Sequence, residues 1–197
     1  MSAMSTNTDP QLALPGAGLP AIELWVARLL FALARRRGSR ESFVARFEQE
    51  RAAISALVDS CPITQRGEQV LITRLRGLED SSRNWSVWMT LDHLRITNTA
   101  VARVTSALAA GKVPPGKAST AAVKPCSTAA ANVEAEFERS CDDVLASITA
   151  APELKTQVRY AHPWFGPLDA LGWAAMAGMH MGIHRVQIES IMAGLRR

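Results

Sequence analysis

Apolar positions in this chain recur every three or four residues over most of its length, and the alternation of a half-buried strand is scarce. Phe43, Phe47, Ile54, Leu57 and Val58 mark one side of a segment that Ser39 or Arg40 opens and Cys61-Pro62 closes, which predicts a helix near 41–58. Residues 64–78 read as a shorter helix or as a continuation after a break, and 79–84 as a loop ending on Asn84, a suitable N-cap for a helix over 85–110. The Pro-, Gly- and Lys-rich stretch 111–128 is a linker, long for a connection between bundle neighbours. Ser127 or Thr128 then opens a helix reaching about residue 150, with Val133, Phe137, Cys141, Val144 and Ile148 as its stripe. After an irregular stretch, 151–166, Pro167 suits a first helical turn with Asp169 beside it, and a last helix runs over 167–195.

Four long helices and one long connection predict an all-α protein, a four-helix bundle over residues 40–197. A linker of this length can cross the bundle, so the helices it joins need not be antiparallel neighbours. Residues 1–19, rich in Ser, Thr, Pro and Gly, read as a flexible tail, and 20–38 as an additional N-terminal amphipathic helix. Its apolar residues Trp25, Leu29, Leu30 and Leu33 are expected to be covered, by the bundle or by a second copy in a homodimer. Contact of 21–37 with a membrane surface is the less favoured alternative, suited by Trp25, Leu29 and Phe31 with a trailing arginine cluster. Glu23 and Arg28 interrupt the run, which is too short to span a bilayer, and its charge follows the apolar stretch where a secretory signal would have it first.

Composition adds limits. Hydrophobic residues make up 48% and charged residues 20%, a globular balance, and a net charge of +4 is too mild to demand nucleic acid. Three cysteines, Cys61, Cys126 and Cys141, with no CxxC spacing argue against a disulfide framework and for a reducing, cytoplasmic setting.

The candidate chemistry lies in GMHMGIHRVQ, residues 178–187, where two of the four histidines stand four apart in an apolar segment. At about 100° per residue, His180 and His184 share a helix stripe with Trp173, Met176, Gln187 and Ile191, facing the bundle interior. His93 sits on an equally mixed face beside Met89, Ile96 and Thr97. Two imidazoles at i and i+4 can hold one metal ion from a single helix, and a third can come from a facing one. The same spacing also suits two structural or surface histidines, but buried imidazoles need partners.

The other polar residues carry open readings. Asp92 points about 100° away from His93 and reads as a surface or capping residue. Gln187 is either a hydrogen-bond partner behind His184 or an interhelical link. Arg185 reads as part of a surface ion pair or an anion contact to the 151–166 loop, and His162 as a loop residue bonded to backbone, with a substrate contact near the pocket mouth as its less favoured reading. Cys141 belongs to the core, Cys126 stands in the linker without a histidine near it in sequence, and Trp85, Trp88, Trp164 and Trp173 are core or pocket wall. No convincing general base stands out.

NWSVWMTLDHL (84–94) resembles the second-helix signature of the DinB-like superfamily, and HPWFGPLDALGWAAMAGMHMGIHRVQI (162–188) resembles that family's last helix, with its HxxxHRxQI run. LITRLRGLEDSSRN (71–84) is similar to the approach to helix two, so the resemblance covers roughly residues 41–197. It implies a bundle of up-down-down-up topology, with the 111–128 linker as crossover and a divalent metal, zinc or nickel, on His93, His180 and His184. It also implies a range of activities. Some relatives are transferases or isomerases that use a low-molecular-weight thiol, and others bind metal with no known reaction. Two classes of function therefore stay open: a metal-dependent transferase or hydrolase acting on a small molecule, and a metal-stabilised bundle that binds or interacts without catalysis.

Overall fold

The computed structural model describes residues 11–197. The expected loose tail falls partly outside that range. From 11 onward it is tied down: the Ala13 N–H donates to Asp80 Oδ2 at 2.8 Å and the Gly16 N–H to Glu79 Oε2 at 3.3 Å. Five helices follow among the described residues: α1 Ala21–Arg37, α2 Arg40–Ser60, α3 Val87–Ala109, α4 Asn132–Ala150 and α5 Ala170–Leu195. Two short antiparallel pairs join them, β1 Val70–Leu71 with β2 Asn84–Trp85, and the hairpin β3 Tyr160–His162 with β4 Gly166–Leu168. No described helix is long and apolar enough to cross a membrane.

Each helix boundary has a local cause. Ser39 caps α2 in a reciprocal pair with Ser42. Ser86, rather than Asn84, caps α3 by accepting from the Met89 N–H, because Asn84 is drawn into β2 opposite Leu71. The expected helix over 64–78 does not form. Its backbone is committed elsewhere: Arg66 O accepts from the Trp88 N–H, Gly67 lies under the Trp88 ring, and Val70–Leu71 pair with β2. Helix α4 begins at Asn132 and not at Ser127 or Thr128, since the preceding residues form turns held by the Asp92 carboxylate, which accepts from the Cys126 N–H at 2.8 Å. Pro167 is strand and not helix. It lies in β4 opposite Ala161, and Asp169 caps α5 by accepting from the Gly172 N–H.

The core runs between α2, α3, α4 and α5, with Phe47, Ile54, Leu91, Leu94, Leu108, Phe137, Ile148, Met181, Ile188 and Ile191 fully buried. Helix α5 is enclosed on most sides, which is why its apolar residues follow no single stripe. Its glycines allow this: a Cβ on Gly178 would stand 3.3 Å from the Phe47 backbone nitrogen, and one on Gly182 would stand 2.9 Å from Glu50 Oε1. At the far end of α4, the Arg40 guanidinium donates to the carbonyls of Ile148, Thr149 and Ala151, satisfying helix-end acceptors that would otherwise lack donors.

Helix α1 packs on the bundle, but by the face opposite to the one its apolar residues predict. Only Phe31 is buried, stacked on Phe165 at 4.4 Å. Glu23 pairs with Arg74 and accepts from the Gly77 N–H, the Arg28 guanidinium donates to Trp164 O at 2.6 Å, and Arg35 pairs with Asp169 at 2.6 Å. Ile22, Trp25, Val26, Leu29, Leu30 and Leu33 face outward, with Trp25 66% and Leu30 60% exposed.

Candidate metal centre

Helix α3 presents His93, and α5 presents His180 and His184 one turn apart, on facing sides. The three rings converge through the same atom. His180 Nε2 lies 3.2 Å from His93 Nε2 and 3.1 Å from His184 Nε2. Trp85, held in place by β2, backs the cluster, 5.1 Å from the His93 ring and 6.1 Å from that of His184. His93 and His184 are buried and His180 is half-buried, open to a cavity.

Hydrogen bonding settles which nitrogens carry hydrogen. His93 Nδ1 is 2.6 Å from Val123 O; a carbonyl only accepts, so Nδ1 donates and Nε2 keeps a bare lone pair. His184 Nδ1 is 2.6 Å from Gln187 Oε1, while Gln187 Nε2 donates to Ser82 O at 2.7 Å. The Gln187 oxygen is therefore the acceptor, and His184 also presents a bare Nε2. The three nitrogens lie within 4.8 Å of one another, and at most one hydrogen, on His180, is there to serve the two close contacts.

Burial disfavours the imidazolium forms. It lowers the pKa of His180 to about 4 and those of His93 and His184 well below the ordinary histidine value, with the neighbouring imidazoles pushing the latter two further down. Neutral imidazoles with aligned lone pairs are the form that a metal requires. Nitrogen ligands about 2.0–2.1 Å from one ion, at angles between octahedral and tetrahedral, lie roughly 2.9–3.4 Å apart. The observed 3.1 and 3.2 Å fall inside that interval, so the three residues can hold a metal ion.

Behind the cluster, one ammonium joins the two loops that carry those carbonyls. Lys124, next to Val123, donates to Glu79 Oε2 at 3.0 Å, Ser81 Oγ at 2.8 Å and Ser82 Oγ at 2.9 Å. It also lies over the Trp85 ring at 5.4 Å. Burial would raise the pKa of the Glu79 carboxyl; Lys124 and the surrounding donors outweigh it and hold it below its usual range. Glu79 and Lys124 escape a sequence reading, since nothing in their spacing marks them.

In front of the cluster is a cavity of about 280 Å³, lined by all three histidines and, among others, by Val101, Val104, His162, Trp164, Trp173 and Met176. Two of the tryptophans expected as core or pocket wall are thus on it, Trp85 stands behind the ligands, and Trp88 donates to Glu134 Oε1 at 2.7 Å. Asp92 is buried, not a surface residue: one oxygen accepts from Arg95 and the other from the Cys126 N–H. Gln187 fills both roles open to it, bonding His184 and linking α5 to the Ser82 loop. Arg185 pairs with Glu50 at 2.8 Å and with Glu189, an ion pair and not an anion contact to 151–166. Cys141 is buried, as expected, and burial pushes its thiol up to about 12. Cys126 is exposed and outside the cavity lining, with Thr128 Oγ1 3.1 Å from its sulfur lowering its pKa.

No curated protein matches the sequence significantly. Among solved structures, the chain is similar to TT2238, described as a four-helix bundle protein, with a TM-score of 0.57 and 20% identity over 77% of this chain and 98% of that one. That likeness bears on the fold alone. Residues 46–188, which include all three converging histidines, match the DinB superfamily. With a match over that much of its length, the helical bundle and the HxxxHRxQI run on α5, the chain belongs to the DinB superfamily.

Proposed function

We propose that His93, His180 and His184 bind one divalent metal ion, zinc or nickel, and that the protein is a metal-dependent enzyme acting on a small molecule in the adjoining cavity. One observation carries this reading: three neutral imidazoles turn their Nε2 atoms toward one point at the wall of a cavity, with at most one hydrogen for the two close contacts. An ion there would supply Lewis acidity, drawing the pKa of a bound water or thiol toward neutrality. The chain's own residues do the rest. Val123 O and Gln187 hold the Nδ1 hydrogens and so aim two lone pairs, Trp85 and the apolar wall limit water, and the cavity leaves the His180 side accessible.

Thiol-dependent S-transfer and hydrolysis are the reactions this arrangement suits, because neither requires a protein nucleophile. Family membership supports a low-molecular-weight thiol as cosubstrate. The up-down-down-up chain path belongs to the same reading, with residues 111–128 as its crossover. A purely structural metal bundle is the rival, and the cavity that reaches the histidines favours catalysis over it.

The deciding experiment is metal analysis of the purified protein beside a His184→Ala variant. About one ion per chain is expected in the parent and close to none in the variant, with helix content largely kept. Equal stoichiometry in the two refutes the assignment. A panel of small thiols with electrophilic cosubstrates then separates the transferase from the structural reading.

A further inference from the structure

His162, at the end of β3, brings an imidazole to the cavity wall outside the three-histidine cluster, and backbone fixes its hydrogen-bonding state. The Trp164 N–H points at its Nδ1 at 3.1 Å. A backbone N–H can only donate, so Nδ1 is unprotonated and Nε2 carries the hydrogen. The ring is also held in orientation, stacked on Phe165 at 5.0 Å, tilted against Trp173 at 5.4 Å and edge-on to Trp164 at 6.3 Å. Phe165 is in turn braced by Phe31 of α1. The sequence reading of a loop histidine bonded to backbone thus accounts for one nitrogen and leaves the other.

The surroundings make that second nitrogen conspicuous. The cavity lining mixes Trp164, Trp173, Met176, Val101 and Val104 with polar residues, Thr97, Ser119, Thr120 and Lys124 among them, and the Trp173 indole N–H is already spent on the Tyr160 carbonyl at 3.3 Å. Among the described hydrogen bonds none uses His162 Nε2. A donor on the cavity wall with no protein partner gains a bond when a ligand acceptor reaches it, and that favours a ligand that carries one. Burial keeps the ring neutral, with a pKa of about 4, so the donor is present across the physiological range.

We propose that the His162 Nε2–H is an oxygen-recognising donor, and that the site takes a small molecule with an apolar body and a carbonyl or oxyanion oxygen beside the group that meets the three imidazoles. This rests on the metal reading above and narrows its substrate class. The cavity volume of about 280 Å³ is at the small end for ligand pockets, which commonly hold roughly 300–1,000 Å³, and it sets the scale of the apolar body to about one aromatic ring. His162 is a positioning residue in this scheme: it bonds ligand oxygen and has no part in holding the ion.

The test uses the full chain loaded with Co²⁺, whose visible spectrum reports ligand binding, and two probes: benzohydroxamate, which offers oxygen, and thiophenol, which offers sulfur alone. His162→Phe keeps the aromatic stack and removes the donor, while His162→Gln keeps a donor. His162→Phe should weaken benzohydroxamate about tenfold, the worth of one good hydrogen bond, leave thiophenol within about twofold and leave Co²⁺ uptake unchanged. His162→Gln should recover most of the loss. Equal benzohydroxamate affinity in wild type and His162→Phe, with Co²⁺ bound in both, overturns this inference and leaves the metal reading standing. A parallel loss of both probes also overturns it, since that marks a collapsed wall and not a lost donor. Wild type that takes up no Co²⁺ overturns the metal reading, and this proposal falls with it.

Discussion

Gln187 stands between His184 and Ser82 with both ends of its amide engaged, the oxygen 2.6 Å from His184 Nδ1 and the nitrogen 2.7 Å from Ser82 O. The side chain is fully buried, so neither partner has water to fall back on. Gln187→Ala strands a buried N–H and a buried carbonyl at once. We expect a stability loss of about 1–3 kcal/mol in the metal-free protein and a roughly 10–100-fold weaker metal affinity. Denaturant titration and competition with a coloured chelator measure the two. Unchanged metal affinity would show that His184 needs no such support.

Lys124 and Glu79 form the buried charge pair behind the cluster, with the Glu79 side chain 5% exposed. Lys124→Met leaves that carboxylate without its cation and should destabilise the protein by roughly 3 kcal/mol at pH 7. In the wild type Glu79 has a lowered pKa; in the variant burial dominates and raises it. The variant's deficit should therefore shrink as pH falls toward about 4 and the carboxyl protonates. Adding Glu79→Gln should recover much of the loss at neutral pH. Thermal unfolding across pH for the two variants checks both statements.

The metal-free protein should lose stability on acidification for a second reason. His180 and His162 are held at about 4, and His93 and His184 also below the ordinary value, so below about pH 6.5 the unfolded chain binds more protons than the folded one. Their contribution is fully present above pH 6.5 and declines as pH drops toward 4, by at most about 1.4 kcal/mol per pH unit for each histidine. Metal release should follow the same window and not the titration of free imidazole. Urea midpoints in the presence of a chelator at pH 7.5 and 5.0 measure the effect. A midpoint that rises on acidification contradicts it.

On α1, the buried and exposed faces predict opposite outcomes. Phe31→Ala removes a ring that is 4% exposed and stacked on Phe165, and should cost about 3 kcal/mol. Leu29→Ser with Leu30→Ser alters side chains that are 48% and 60% exposed, and should stay within about 0.5 kcal/mol in a monomer. A large loss in the second variant, measured by unfolding alongside sedimentation, would show that another surface covers this face.

The inverted seating of α1 shows where sequence reading stops. Its apolar stripe is legible, but the partners that turn the helix over, Arg74, Asp169 and the Trp164 carbonyl, lie on segments remote in sequence. The four long helices and the three histidines are legible because each rests on a single-helix period. The supports of the cluster are not: Val123 and Ser82 act through backbone carbonyls, which every residue has, so no side-chain pattern can mark them. The same holds for Asn84 and Ser86, both good caps, where strand pairing with Leu71 decides between them. Residues 64–78 have helical composition but lose their backbone groups to Trp88 and β2.

Three grips of α1 fall within one stretch of chain, residues 164–169: Arg28 on the Trp164 carbonyl, Phe31 on the Phe165 ring and Arg35 on the Asp169 carboxylate. That stretch carries the pocket-side turn of the hairpin and the cap of the helix bearing two of the imidazoles. The span shared with relatives starts at residue 46, so it includes the ligands and leaves out the brace. A fragment trimmed to that span keeps every histidine while freeing the wall that faces the ligand. One wall of the cavity is thus steadied by a helix that lies before the matched span, and trimming the chain to that span would change the cavity without touching a single histidine.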